Sequence, residues 1–277
     1  MTSYVALYGD PVEGNPTSRM QNAAFDAAGL DWRYLDIRVP TAELAAAVVA
    51  ARTLAFDGLN LTIPHKVAVL TLLDALEPSA EISGACNTVA RHADGRLVGS
   101  NTDGQGFLWS LRDEGIDPER IEVVLLGAGG AARAVAVELA LAGAARITIA
   151  GRDQARREAL AERLRWRTST IANTLAWDGR LAVPACDVLV DCTPVGMGAG
   201  EAADDVPDVD LSGLAAGSVV CDLNPERADT AFLRLARAHG HRTIGGLGML
   251  ARQGAAAFRI WTGVEAPLAV MEAALEG

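Results

Sequence analysis

Aromatic side chains are few, 5% of 277 residues. Alanine and glycine are abundant instead, which suits close helix-on-sheet packing, since small side chains let the layers approach. Cysteine is also scarce. Cys86, Cys186, Cys192 and Cys221 form no C-x-x-C pair and have no histidine cluster beside them, so neither a disulfide framework nor a metal site is expected. Cys186, Cys192 and Cys221 lie in or beside apolar runs and behave there as small hydrophobes. Positive charge is in deficit, with 24 Lys and Arg against 35 Asp and Glu and a formal net charge of −11. Such a chain has no field to attract nucleic-acid phosphates or an anionic membrane. No apolar run reaches membrane-spanning length uninterrupted. The first residues, MTSYVALYGDPVEG, carry neither a basic segment nor a long apolar one, so no signal peptide is expected. The expectation is a reduced, cytoplasmic protein, monomer or homodimer, whose partner is a small molecule.

What is there is alternation. YVALYG, WRYLDIRV and GLNLTI read as strands, separated by helical patterns at 19–28, 41–52 and 66–76. ACNTVAR and GRLVGSN read as a strand pair around the turn HADG. A helix over 106–114 leads to IEVVLLGAGG, and further strands ARITIA, DVLVDC and SVVCDL alternate with helices at 131–141, 154–165 and 229–238. Residues 248–276 read as two helices. The pattern predicts an α/β protein with mostly parallel sheets. The N-terminal α/β domain spans 1–104, rejoined by 248–277, and a doubly wound Rossmann-type domain spans 105–247.

The most specific local signal is VVLLGAGGAARAVAVELALAGAARITIAGRD. Gly127, Gly129 and Ala132 fit G-x-G-x-x-G/A between a strand and a helix, with a second strand following. Gly127 permits a tight turn, Gly129 lets backbone reach a pyrophosphate, and Ala132 keeps helix and sheet close. The helix N-terminus offers free N–H groups to the anion. Ala128, Gly130 and Ala131 complete the candidate loop. A purely structural turn is the alternative for the motif alone; the strand–helix–strand context favours a dinucleotide. At the tip of the second strand stand Gly151, Arg152 and Asp153, with Arg156 and Arg157 behind. Arginines suit a 2′-phosphate, whereas Asp153 suits a free ribose hydroxyl. One phosphate finding two or three cations favours NADP, with NAD the alternative. Arg156 and Arg157 as a solvated helix face is the competing reading.

Six segments stand in order along the chain: NLTIPHK at 60–66, GACNTV at 84–89, NTDGQGF at 101–107, GAGGAARA at 127–134, DCTPVGM at 191–197 and GGLGMLARQGAAAFRIWTG at 245–263. Together they resemble the shikimate and quinate dehydrogenase family, from about residue 5 to about residue 265. The resemblance implies an NAD(P)-dependent oxidoreductase that interconverts a ring alcohol of shikimate, or a close analogue, with its 3-dehydro ketone. It implies Lys66 as acid/base and Asp103 as its partner, since moving hydride to nicotinamide leaves a proton that a positioned group must take. A lysine does this near neutral pH where desolvation lowers its pKa and a carboxylate orients it. Read by residue type alone, Lys66 is a first-turn surface residue and Asp103 a helix N-cap. The resemblance also implies Asn60, Thr62, Asn87 and Gln253 as readers of substrate hydroxyls, and Thr193, Leu223 and Gly246 at the cofactor. Asn87 and Asn101 satisfying turn backbone is the alternative.

The resemblance breaks at one end of the substrate. The family pattern G-x-P-x-x-x-S-x-S-P-x-x-H-N holds a carboxylate through its serines. Here the stretch is GDPVEGNPTSRMQN, with Asn15 and Thr17 at the serine positions, Ser18 at the proline and Gln21 at the histidine. The tyrosine of D-x-x-Y-x-P-x-x-T is replaced by Pro225 in DLNPERADT. Two accounts follow. Either Asn15 and Thr17 still hold a hydroxylated ring carboxylate, or the chain is a paralogue acting on quinate, an aminoshikimate-type compound or another ring altered at its acid end, with Arg19 a candidate anion partner. A non-catalytic ligand-sensing module is the rival from another class.

Overall fold

The computed structural model describes residues 2–197, 200–224 and 227–276. The chain forms two compact units, Met1–Gly106 with Ala251–Gly277, and Phe107–Leu250. Pro225, at the tyrosine position, lies outside the described residues.

In the first unit the strands are β1 (Ser3–Gly9), β2 (Trp32–Arg38), β3 (Gly58–Leu61), β4 (Ala75–Leu76), β5 (Thr88–Arg91) and β6 (Leu97–Ser100). They form one sheet in the order β2-β1-β3-β5-β6-β4. β1 runs parallel to β2 and β3, while β5 is antiparallel to both β3 and β6. The apolar runs VALYG and GLNL are buried throughout, as strands covered on both faces require. The helices are α1 (Thr17–Ala27), α2 (Leu44–Thr53), α3 (His65–Ala68), α4 (Pro78–Ser83) and α5 (Asp103–Asp113), whose first residues close this unit. On α1 the buried residues Thr17, Met20, Gln21, Ala24 and Phe25 recur at helical spacing and face the sheet and the C-terminal helices.

The helix expected over 66–76 is not continuous. It becomes α3, a 3₁₀ turn Val69–Leu72, and the short strand β4 paired with β6. Asp74 explains the break: its carboxylate accepts from Leu97 N at 2.7 Å and pairs with Arg52 at 2.8 Å, drawing the chain onto the sheet edge.

The second unit is wound on a parallel sheet. Its strands are β7 (Glu122–Leu126), β8 (Arg146–Gly151), β9 (Ile171–Ala176), β11 (Val188–Asp191), β13 (Val219–Asp222) and β14 (Arg242–Gly245), in the order β14-β13-β11-β7-β8-β9. A separate pair joins β10 (Leu181–Ala182) to β12 (Val209–Asp210). The helices are α6 (Gly130–Leu141), α7 (Gln154–Arg167) and α8 (Ala231–Ala238). The strand order reverses next to β7, so the crevice beyond the carboxyl ends of β7 and β11 is the place where open α/β sheets take ligands. Strands β9 and β14 have no strong signature in the sequence, because their residues are mixed and partly exposed at the sheet edges. Two further helices follow, α9 (Leu247–Thr262) and α10 (Leu268–Glu276). In the first unit Phe258 of α9 stacks on Phe25 at 5.2 Å, and Trp261 Nε1 donates to Val89 O at 2.9 Å.

Candidate active site

Register decides which polar residues meet. Asn60 on β3 stands opposite Thr88 on β5, and Thr88 opposite Ser100 on β6. The residues just outside these pairs, Asn87 and Asn101–Asp103, therefore cluster at the same sheet end as Thr62 and Lys66. Lys66 Nζ donates to Asp103 Oδ2 at 2.7 Å. The other carboxylate oxygen, Oδ1, accepts from Asn87 Nδ2 at 2.7 Å. Asp103 thus points at the lysine, while Asn101 Oδ1 accepts from Asp103 N. The side chains of Lys66 and Asp103 are 33% and 21% exposed, so the pair is accessible without being a free surface pair. Lys66 is also the only lysine in the chain; every other Lys/Arg position is arginine. An arginine keeps its proton at any working pH, whereas a lysine exchanges it.

The expected hydroxyl readers divide in two. Thr62 is half-buried and its hydroxyl has no protein partner among the described residues. Gln253 is 8% exposed, and its Oε1 accepts from Asn87 Nδ2 at 3.3 Å and from Thr102 Oγ1 at 3.4 Å. Asn87 is engaged on every side: besides Asp103 it holds Thr102 through Oδ1 to Thr102 N at 2.8 Å. Asn60 is engaged as well. Its Nδ2 donates to Asn87 O at 2.8 Å and Thr88 Oγ1 at 3.0 Å, and its Oδ1 accepts from Tyr34 OH at 2.7 Å. One lone pair of Oδ1 is what remains for a ligand. Tyr34 and Thr102 were not singled out from the sequence. Burial, with Asp36 adding, pushes the Tyr34 phenol well above its ordinary pKa, so it stays a donor to Asn60. Nothing in WRYLDIRV distinguishes this tyrosine from a core aromatic.

At the segment after β1, Asn15 Oδ1 accepts from Thr17 N at 2.9 Å, and Thr17 is buried at the start of α1. Gln21 is fully buried, with Nε2 donating to Gly254 O at 2.9 Å. Arg19, the candidate anion partner, is exposed on α1, and its guanidinium donates to Leu275 O at 3.5 Å, at the carboxyl end of α10.

In the second unit Gly127, Ala128, Gly129, Gly151, Arg152, Asp153, Arg156 and Thr193 line one cavity of about 630 Å³. Gly127 has φ +102°, a conformation only glycine adopts without strain, and a Cβ there would also meet Cys192 O at 3.4 Å. A Cβ on Gly129 or Gly130 would meet no protein atom, so the approach to the N-terminus of α6 is open. Ala132 is fully buried against the sheet. Of the remaining cofactor candidates, Gly130 and Ala131 form the first turn of α6 without lining the cavity. Leu223 and Gly246 do not line it either; they pack on each other's backbone, and a Cβ on Gly246 would overlap Asn224 O and Leu223 C.

The cations at the tip of β8 separate sharply. Arg152 is exposed and lines the cavity, and its guanidinium has no protein partner among the described residues. Asp153 caps α7, accepting from Arg156 N at 3.0 Å and pairing with Arg156 Nε at 3.2 Å. Both its oxygens thus face Arg156, which offsets part of its repulsion toward a phosphate. Arg157, expected as a phosphate partner or a solvated residue, is neither: it is buried, donating to Gly151 O at 2.9 Å. Arg133 on α6 was missed. Burial and the nearby charges of Arg163 and Arg156 lower its pKa, so α6 and α7 crowd positive charge near this cavity. Trp177, Val206, Pro207 and Asp208 also line the cavity, with Trp177 Nε1 donating to Asp208 O at 3.2 Å. Their convergence depends on β9 and on the 206–208 segment, and no motif announces it. The glycine cradle, the exposed Arg152 guanidinium and the pairing of Asp153 with Arg156 fit NADP.

Family models match most of the chain: shikimate dehydrogenase substrate binding domain over residues 7–89, shikimate/quinate 5-dehydrogenase over 114–195, and shikimate 5′-dehydrogenase C-terminal domain over 246–276. The chain belongs to the shikimate dehydrogenase family. It is 46% identical to a shikimate dehydrogenase (NADP⁺) of Methanopyrus kandleri over 282 aligned positions, covering 99% of this chain and 96% of that one. Two solved structures are similar over nearly their whole length. The ligand-free 5-ketofructose reductase of Gluconobacter sp. strain CHM43 matches with a TM-score of 0.94 and 42% identity, covering 100% of this chain and 98% of that one. The shikimate 5-dehydrogenase of Listeria monocytogenes, in complex with shikimate and NAD, matches with a TM-score of 0.91 and 30% identity, covering 98% and 96%. Family membership makes this chain an oxidoreductase acting on a CH–OH group. Among the described residues no helix is long and apolar enough to cross a membrane, and no group of three or more His, Cys, Asp or Glu is placed to hold a metal.

Proposed function

We propose that the protein is an NADP-dependent dehydrogenase that interconverts a ring alcohol of shikimate, or a close ring analogue, with the corresponding ketone. The observation that carries this reading is the single lysine of the chain, hydrogen-bonded at 2.7 Å to a carboxylate that Asn87 holds from its other side. In the oxidative direction Lys66 Nζ, as a neutral amine, takes the hydroxyl proton while the carbinol hydrogen leaves as hydride; in reverse the ammonium returns the proton. Asp103 orients Nζ and stabilises the ammonium once formed. Thr62 and Gln253 hold neighbouring hydroxyls, and Asn87 and Asn60 keep the cluster rigid. NADP, when bound, supplies the hydride acceptor at nicotinamide C4 and, when reduced, the donor. Arg152, with Arg156, holds its 2′-phosphate, and Gly127–Gly129 with the first turn of α6 hold its pyrophosphate. The protein works in the cytoplasm as a monomer or homodimer.

A second reading, reduction of a keto sugar, is favoured by Asn15 and Thr17 standing where the family pattern has its two carboxylate-holding serines, and by the likeness to 5-ketofructose reductase. Purified protein with NADP or NADPH and a panel of shikimate, quinate and 5-ketofructose, followed at 340 nm, tests both readings. Turnover of shikimate or quinate supports the first, and turnover of 5-ketofructose alone supports the second. Binding without hydride transfer on any of them makes the protein a sensor and ends both.

A further inference from the structure

Helices α1 and α9 meet at two rungs one turn apart. Phe25 stacks on Phe258 at 5.2 Å, and four residues earlier on each helix Gln21 Nε2 donates to Gly254 O at 2.9 Å. Four residues earlier again on α1 stands Thr17, buried like Gln21 and Phe25. Gly254 lets the helices approach here: a Cβ on it would overlap the Met20 methyl group and lie 3.3 Å from Gln21 Nε2. The polar rung adjoins Gln253, whose Oε1 accepts from Asn87 Nδ2 at 3.3 Å and from Thr102 Oγ1 at 3.4 Å. Stability alone does not account for an amide at this rung. Gln21 is fully buried, and its Oε1 has no hydrogen-bond partner among the described residues. A buried acceptor left unmet costs more than one neutral hydrogen bond contributes, and an apolar side chain of similar length fills the same space without that cost. What the amide adds is direction. Apolar contact is non-directional and tolerates sliding of one helix on another, whereas a hydrogen bond holds one donor to one carbonyl over a narrow range of distance and angle.

We propose that Gln21 is a positioning residue for the substrate: by tying α1 to the Gly254 carbonyl it fixes the place of Gln253, and with it the span between Gln253 and Thr17. The proposal deepens the hydride-transfer reading of Lys66, in which Gln253 holds a substrate hydroxyl, and rests on it. Its effect falls on substrate binding. Proton transfer runs through Lys66 and Asp103, which keep their own bond at 2.7 Å, and the cofactor cavity is lined by residues of the other unit. Loss of the rung therefore raises KM for the ring substrate and leaves the chemical step and NADP in place, because a displaced Gln253 weakens ground state and transition state alike.

The test uses the full chain and two variants, Gln21→Met, which keeps the length and loses the donor, and Gln21→His, which supplies a ring N–H in its place. The substrate is whichever of shikimate, quinate and 5-ketofructose the unaltered protein turns over, followed at 340 nm. In Gln21→Met its KM is expected to rise about tenfold, the worth of one neutral hydrogen bond, while kcat and KM for NADPH change less than about twofold. The melting temperature should not fall, since the unmet Oε1 is removed as well. Gln21→His is expected to bring KM back toward the starting value. The side-chain amide resonances of Gln253, assigned by their loss in Gln253→Glu, should move in Gln21→Met and return in Gln21→His. An unmoved resonance, an unchanged KM, an equal rise of KM in both variants, or a lowered melting temperature with kcat falling alongside overturns the proposal. If none of the three compounds is turned over, the hydride-transfer reading falls, and the Gln253 resonances by themselves uphold or overturn the role of Gln21.

Discussion

Replacing Lys66 separates chemistry from stability. Proton transfer by a positioned side chain contributes about 10²–10⁴-fold, which corresponds to about 3–5 kcal/mol of barrier. Lys66→Ala is therefore expected to lower kcat by at least 100-fold. The pair with Asp103 is part-exposed, at 33% and 21%, and Asp103 keeps its bond from Asn87 Nδ2 at 2.7 Å. Losing such a pair costs about 1 kcal/mol or less, so the melting temperature should fall by only a few degrees. NADP is expected to bind almost as before, because its candidate site is built from residues of the other unit. Lys66→Arg sharpens the test. It keeps the positive charge beside Asp103 but does not release a proton near neutral pH, so it should be as inactive as Lys66→Ala. Initial rates at saturating cofactor, with thermal melts of each variant, give both numbers. If Lys66→Arg keeps more than a tenth of kcat, Lys66 acts by its charge alone and the acid/base role is wrong.

Arg152→Gln should raise KM for NADPH about 10- to 100-fold, the worth of one hydrogen bond to a charged group, and leave NADH nearly unaffected; equal loss for both cofactors would remove Arg152 from the 2′-phosphate. Because Lys66 is the chain's one lysine, an amine-acylating reagent should abolish activity with a single side-chain addition by intact mass, and substrate should protect; full activity after modification contradicts the site. Gly58→Ala places a methyl group into the Trp261 indole and against Val89 O. Overpacking and loss of the Trp261–Val89 bond are expected to cost about 2–4 kcal/mol, read as a lower urea midpoint; an unchanged midpoint argues against this docking of α9. Burial raises the Asp191 carboxyl to about 7, and its Oδ2 has no partner. The folded chain then holds a proton that the unfolded chain has lost above about pH 4. Its contribution to stability is complete at low pH and is lost as pH rises to about 7, by at most 1.36 kcal/mol per unit. Asp191→Asn removes this slope, so the variant should gain on the wild type between pH 5 and pH 8; parallel stability curves would show that Asp191 does not titrate there.

The sequence by itself determined what is local or repeats at short range. The strand–turn–helix around Gly127 was legible because a tight turn, an open backbone and close packing each demand a small residue at a fixed position. NLTIPHK and NTDGQGF were legible as motifs, and the order of segments indicated the α/β class. Tertiary structure alone decided the rest. Strands β4, β9 and β14 exist through pairing with distant neighbours rather than through propensity. Arg152 and Arg157 have the same side chain on one short stretch, yet one faces the cavity and the other is buried under the tip of β8. Asn60, read as a substrate contact, has its amide engaged by Tyr34, Asn87 and Thr88, because strand register brings together groups 26 to 28 residues apart. A hydrogen-bonding side chain states in the sequence what it is able to hold; only the groups the fold places within 3 Å of it decide what it holds.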